Sequence, residues 1–388
     1  MSPARPEQRK NTAKIVVSTH DGVDGFTSAY EQFAPRPRLH ESAAWLRYCD
    51  RRSRGRMLYV VARDDAGVLL GVTALRRTAQ ESLAEANYDV STLIRPPAVP
   101  KACFYPQLFS AVSGTHCLLR TADHLSETAA RQVRAAIVGT ARNLAAEDNA
   151  VLTFAYLTDA RLAGELTEKL DFDEHGVVGA NTVLEAEWVD FDGYVAFLPR
   201  GRRSHIRKER REYLASGLRT SVHETTRALD EQTALLEMGL ARKYNAPNSV
   251  DAVLADYADL ASTVDEHVLV FLAKAGDRPV GLCVCLRDGE TLHIRNLGFD
   301  YPLTRGTHAY FNLMFYDPLI WGARHGIRRY CFGTGAYLGK SRRGCLLEPL
   351  YAGVRWPASL GAACAGALVG RDRDVCVDLG LNQRRGST

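Results

Sequence analysis

Between His267 and Gly344 the chain alternates apolar runs with turn signals in a pattern that few folds can satisfy. Val268, Val270 and Leu272 alternate with Leu269, Phe271 and Ala273, which reads as a strand buried on both faces. Gly276-Asp277 and Asp288-Gly289 are turn signals at hairpin spacing. Val280, Leu282, Val284 and Leu286 mark one face of a second strand, and Cys283 and Cys285 mark the other. Leu292, Ile294 and Leu297 continue the pattern as a third strand. Phe311, Met314, Phe315 and Leu319 then fall at helical spacing, and Pro318 should kink or restart that helix. Tyr330, Cys331 and Phe332 form the next strand, which runs into the basic, glycine-bearing loop GTGAYLGKSRRG.

The order hairpin, strand, helix, strand is that of the GNAT acyltransferase fold. The segments LVFLAKAGDRPVG, HGIRRY and GTGAYLGKSRRG resemble the FemAB-like, peptidoglycan-bridge-type aminoacyltransferase branch of that superfamily. In that branch a strand is commonly followed by a glycine pair, a lysine and then Arg-Gly; here these are Gly333, Gly335, Lys340, Arg343 and Gly344. The resemblance covers roughly residues 186 to 356. It implies that the third strand splays from the fourth and that the acyl donor enters the gap.

A second strand–turn–strand unit, Met57 to Arg77, parallels Val268 to Arg287, with Gly71 matching Gly281. Each copy is followed by strand, helix and strand, which suggests a duplicated unit. The expected fold class is therefore α/β (α+β), with two GNAT-like lobes, each a mixed, mostly antiparallel sheet flanked by helices. The expected division is a disordered 1–13, a first lobe 14–187, a second lobe 188–357 and a peripheral tail 358–388. At 388 residues there is room for two or three domains.

A net charge of +4 permits an anionic partner without demanding one. Nine cysteines with no CxxC, no His/Cys run at zinc spacing and no signal sequence fit a reducing cytoplasm and no metal. The apolar stretch 359–370 is too short to span a bilayer.

Seven Arg or Lys residues lie between positions 200 and 211. Pro199 and Gly201 should separate a first turn from a helix capped by Ser204 and ended by Gly217. Ile206, Tyr213 and Leu214 give its apolar stripe, with Arg203, Arg207 and Arg210 along one flank and Lys208 and Arg211 further out. This is either a solvated helix with internal ion pairs or a phosphate-binding face.

The GNAT resemblance places a pyrophosphate-binding turn at Leu303–Ala309, where a single glycine weakens the case for CoA. Fem-type members use aminoacyl-tRNA instead. Backbone N–H groups near Arg295 to Gly298 are candidate oxyanion donors. His293 and Arg295 alternate with Leu292 and Ile294 and so point away from the core; with Tyr337 they are the candidate catalytic residues. Arg203, Arg207, Arg210, Arg211, Lys340, Arg342 and Arg343 are the candidate donor- or tRNA-binding residues, and Asp317 reads as a helix cap rather than a base. No Ser-His-Asp spacing, Walker loop or GxGxxG points to a hydrolase, kinase or dehydrogenase.

The expected function is amide formation from aminoacyl-tRNA to a small amine or peptide acceptor, in cell-wall or antibiotic-type synthesis, with no bound cofactor. An acetyl-CoA donor and a non-catalytic RNA- or nucleotide-binding module are the alternatives. The sequence leaves the oligomeric state open.

Overall fold

A computed structural model describes residues 14–83, 85–94, 99–243 and 249–380; the stretch 1–13 expected to be disordered lies outside them. Thirteen strands form one sheet: β1 Val16–His20, β2 Met57–Arg63, β3 Leu69–Thr78, β4 Gln107–Ser110, β5 Leu119–Thr121, β6 Val151–Leu157, β7 Glu174–Glu185, β8 Arg219–His223, β9 Val268–Ala275, β10 Arg278–Asp288, β11 Thr291–Phe299, β12 Arg329–Cys331 and β13 Leu346–Arg355. The spatial order is β1-β2-β3-β4-β6-β13-β7-β12-β11-β10-β9-β8, with β5 beside β3.

Read inward from its two ends, the sheet has one pattern twice. β1 to β3 form an antiparallel series that continues into β4, and β4 lies parallel to β6. β8 to β11 repeat that series, and β11 lies parallel to β12. Two GNAT-like lobes result. At the centre the lobes exchange strands: β13 pairs with β6, and β7 pairs with β12. The expected divide at 187/188 thus follows chain order, while hydrogen bonding runs across it.

The matched glycines show why the copies look alike. A Cβ at Gly71 would lie 2.7 Å from Val133 and 2.9 Å from Ile137, on the helix Glu127–Glu147. One at Gly281 would lie 2.8 Å from Leu313, on the helical segment after β11. Each lobe packs a helix onto its third strand so closely that only glycine fits. Ser126 caps the first of these helices, accepting a hydrogen bond from Ala129 N. In the second, a π-helical stretch Asn312–Tyr316 precedes a fresh α-segment Asp317–Arg324, with Pro318 in its first turn as expected.

Two expectations need correction. The basic helix runs Arg200–Ala215, five positions earlier than a Ser204 cap implies. Pro199 opens it, Gly201 is absorbed, and the Arg203 guanidinium donates back to the carbonyls of Leu198 (2.8 Å) and Ala196 (2.7 Å). The tail is not peripheral. Its helix Ala367–Asp378 packs on β7 through Val375 and Cys376, and Asp372 accepts from Val177 N at 2.8 Å. The Glu174 carboxylate accepts N–H bonds from Gly366, Leu368 and Val369 at the helix start. The charges at Arg371–Asp374 had masked an apolar face. Among the described residues, no helix is long and apolar enough to cross a membrane.

Candidate active site

The site begins where β11 and β12 part. Their parallel pairing covers only Thr291–His293 against Arg329–Cys331, and β11 then runs on without β12. Within that stretch the register against β10 steps from Cys285↔Ile294 to Val284↔Asn296, so Arg295 sits in a bulge. The helix Glu231–Lys243 lies directly on β11: a Cβ at Gly298 would fall 2.5 Å from Glu237 N, and one at Gly239 would fall 2.6 Å from Phe299 O. A cavity of about 1150 Å³ opens beside it. Its walls come from β11, the end of β12, the helices Glu231–Lys243 and Val250–Thr263, and first-lobe residues including Tyr88 and Ser113–His116.

Two carboxyls in this cavity have opposite environments. Asp256 contacts Arg52 Nη1 at 2.5 Å and Arg295 Nη2 at 3.2 Å, and accepts from Tyr48 OH at 2.5 Å. Burial alone would raise its pKa, but the two guanidiniums overcome this and hold it below the usual carboxylate value. Glu237 accepts from Tyr257 OH at 2.7 Å and Asn296 Nδ2 at 2.9 Å. Here burial dominates both hydrogen bonds, and the pKa rises to about 7. One carboxylate stays ionised; the other exchanges a proton near neutrality.

Three imidazoles share the cavity. His40 stacks on His116 with ring centres 3.7 Å apart, and His293 lies 4.6 Å from His40 edge-on. Burial pushes His40 well below its ordinary pKa, His116 to about 3 and His293 to about 4. The sequence shows no metal-type spacing because these residues come from three distant segments.

Of the residues singled out in the sequence, His293 and Arg295 line the cavity. Tyr337 stands elsewhere, its hydroxyl accepting from Ala180 N at 3.2 Å. Lys340 is buried, and its ammonium donates to the carbonyls of Phe332 (2.6 Å), Gly333 (3.1 Å) and Thr334 (3.1 Å). It thereby braces the cavity wall made by those three residues, and burial lowers its pKa to about 8. Arg343 is buried against Glu209 (2.7 and 2.8 Å), and Arg210 pairs with Asp317 at 2.7 Å. Asp317 also accepts from Thr220 Oγ1, so it ties helices and β8 together rather than capping. Arg207, Arg211 and Arg342 are exposed. His308, in the turn weighed for CoA, is left-handed (φ 58°) and bonded to Glu212 at 2.8 Å.

Sequence reasoning missed Glu237, Asp256, Tyr48, Arg52, His40 and His116. One signal was present: Asp256 sits between Val253 and Leu260 on a buried helix face, where an acid needs a partner.

A FemAB-like family model, described as peptidoglycan biosynthesis/recognition, matches residues 98–356. No curated protein sequence matches the chain. Among solved structures, the C-terminal domain of a putative lysylphosphatidylglycerol synthetase from Agrobacterium fabrum is similar over 91% of this chain and 96% of its own, at 12% identity and a TM-score of 0.51. FemX is similar over 84% and 95%, at 11% identity and a TM-score of 0.50. L-PGS from Bacillus licheniformis is similar over 89% and 96%, at 11% identity and a TM-score of 0.51. At these identities the likeness is one of fold.

Proposed function

The chain belongs to the FemAB-like family, and on that premise we propose that it is an aminoacyltransferase that forms an amide in the interlobe cavity. The donor is an aminoacyl-tRNA and the acceptor an amine of a small molecule or of a peptidoglycan-type peptide. The observation that carries this reading is Glu237: a carboxyl beside the part of β11 that β12 leaves uncovered, with a pKa of about 7.

The acceptor arrives as an ammonium and must lose a proton to attack. Glu237 takes that proton, held by Tyr257 and Asn296 with its oxygens fixed. The neutral amine attacks the ester carbonyl, forming the C–N bond. The oxyanion is met by N–H groups of the β11 stretch beyond His293 and by Arg295, whose Nε has no partner among the described residues. Glu237 passes that first proton to solvent, takes the second from the attacking nitrogen, and delivers it to the ribose oxygen as the C–O bond breaks, so a neutral amide and the ribose hydroxyl result. Asp256 keeps Arg295 charged and in place. The exposed Arg207, Arg211 and Arg342 give the RNA backbone a place to bind outside the cavity.

The test is a transfer assay with total aminoacylated tRNA and a panel of amines and stem peptides. Amide product that Glu237→Gln reduces at least about 100-fold supports the reading. Product formed from acetyl-CoA alone, or turnover that Glu237→Gln leaves intact, overturns the donor or the base.

A further inference from the structure

His40 comes from the turn Leu39–Glu41, His116 from the segment after β4, and His293 from β11 at the point where β12 parts from it. One nitrogen from each lies within 4.8 Å of the other two. A Cβ built on Gly114 would stand 3.2 Å from His116 Nδ1 and 3.8 Å from His40 Nε2, so these nitrogens border one bare spot. Gly114 has φ +93°, a conformation that keeps a side chain from filling it. His116 Nδ1 is buried and has no hydrogen-bond partner among the described residues. A buried polar atom left alone in a native fold calls for a missing water or ion.

We propose that His40, His116 and His293 form a three-imidazole site for one divalent transition-metal ion, with a coordination position open to the interlobe cavity. The donor set argues for this class of ion. Imidazoles suit zinc, cobalt, nickel or copper, while magnesium and calcium want oxygens. Three protein ligands and one open position is the pattern of a zinc ion that meets substrate. Neutral imidazole is the ligating form. At zinc–nitrogen bonds of about 2.1 Å, tetrahedral ligands stand about 3.4 Å apart. From spacings of up to 4.8 Å the nitrogens draw in by at most about 1.4 Å, as the stacked His40 and His116 rings turn out of parallel about their Cβ–Cγ bonds.

The surroundings select the fourth ligand. Arg38, Arg295 and Arg329 act on these imidazoles, with Asp288 the opposing carboxylate. Guanidiniums oppose a bare dication and favour one that carries an anionic oxygen. The open position would take a carboxylate or hydroxide.

The site is tested on the full chain, stripped with a chelator and titrated with Co²⁺, followed by Zn²⁺ competition. One ion per chain is expected, with the visible absorption of tetrahedral cobalt and a spectral shift on adding acetate. Losing an outer-shell partner costs metal sites about 10–100-fold in affinity, so His116→Ala or His293→Ala should cost more than about 100-fold. His175→Ala and His205→Ala, on other surfaces, should change nothing. X-ray absorption of the zinc-loaded wild-type protein should show three imidazole nitrogens, a readout that does not depend on any variant folding. A stoichiometry near zero, oxygen-dominated coordination, or affinity that His116→Ala leaves intact overturns the proposal. No acyl donor or acceptor enters these measurements, so their failure leaves the aminoacyl-transfer reading standing.

Discussion

In the first lobe, all four residues of β4 pair with β6, and Tyr88, Val90, Ile94, Phe104 and Phe109 pack the neighbouring space. In the second, β11 pairs with β12 over three residues and then continues from Ile294 to Phe299 with β10 on one edge and the cavity on the other. The helices differ in the same sense. Glu127–Glu147 is one unbroken α-helix, whereas the second lobe's equivalent passes through a π stretch before Asp317. One copy of the scaffold has become a wall that contributes Arg52, His40 and His116, and the other has kept the gap and contributes Glu237, Asp256 and Arg295. A duplicated fold can thus build a site from both copies while opening only one.

The sharpest way to break this asymmetry is Glu237→Gln. It should lower kcat by about 10²–10⁴-fold with KM little changed, measured by steady-state transfer kinetics. Full activity would move the chemistry away from the second lobe. Wild-type rate should fall as pH drops below about 7, because protonated Glu237 cannot accept a proton.

Asp256→Asn comes next, and it tests whether the lobes are pinned by charge. It takes the counter-ion from the buried Arg295 guanidinium and leaves the partly exposed Arg52 paired with Glu85 alone. Unfolding by denaturant should show a loss of about 3–5 kcal/mol. A loss below about 1 kcal/mol would mean that the strand exchange alone holds the lobes together.

Gly71→Ala and Gly281→Ala compare the paired helix contacts directly. Each should destabilise by about 1–3 kcal/mol in denaturant melts. Gly71→Ala should cost more, because its Cβ also meets the Arg120 carbonyl at 3.0 Å, and backbone cannot yield as the Leu313 side chain can.

A pH effect of about 1–3 kcal/mol is expected from Glu237 itself. Its folded pKa of about 7 exceeds the ordinary 4.5, so the folded state binds the extra proton between them. Stability from this group is full below about 4.5 and is lost as pH rises through 7. Glu237→Gln should therefore flatten the thermal-melt profile over that range.

The smallest effect is on the surface. Arg207→Ala with Arg211→Ala should weaken tRNA binding uniformly and reduce its salt slope by about 1–2, leaving stability unchanged. Arg210→Ala, on the same helix, should instead destabilise, because buried Asp317 loses its cation and keeps only Thr220.

Apolar periodicity and turn residues were enough to read the strands β9 to β11, the helix restart at Pro318 and the duplication through Gly71 and Gly281. These depend on local spacing, which a chain displays directly. His293 and Arg295 were legible for the same reason, as polar positions on an otherwise apolar strand. The roles of Lys340, Arg343 and Arg210 were not, since exposed and buried cations look alike until their carbonyls and carboxylates are placed. Glu237 and Asp256 are ordinary helix acids in sequence; only packing against β11 and Arg52 lets one exchange a proton near neutrality and keeps the other charged. The meeting of His40, His116 and His293, and the exchange of β7 and β13, join segments tens to hundreds of residues apart. Local pattern carries no information about such contacts, because they follow from how the two lobes join into one sheet.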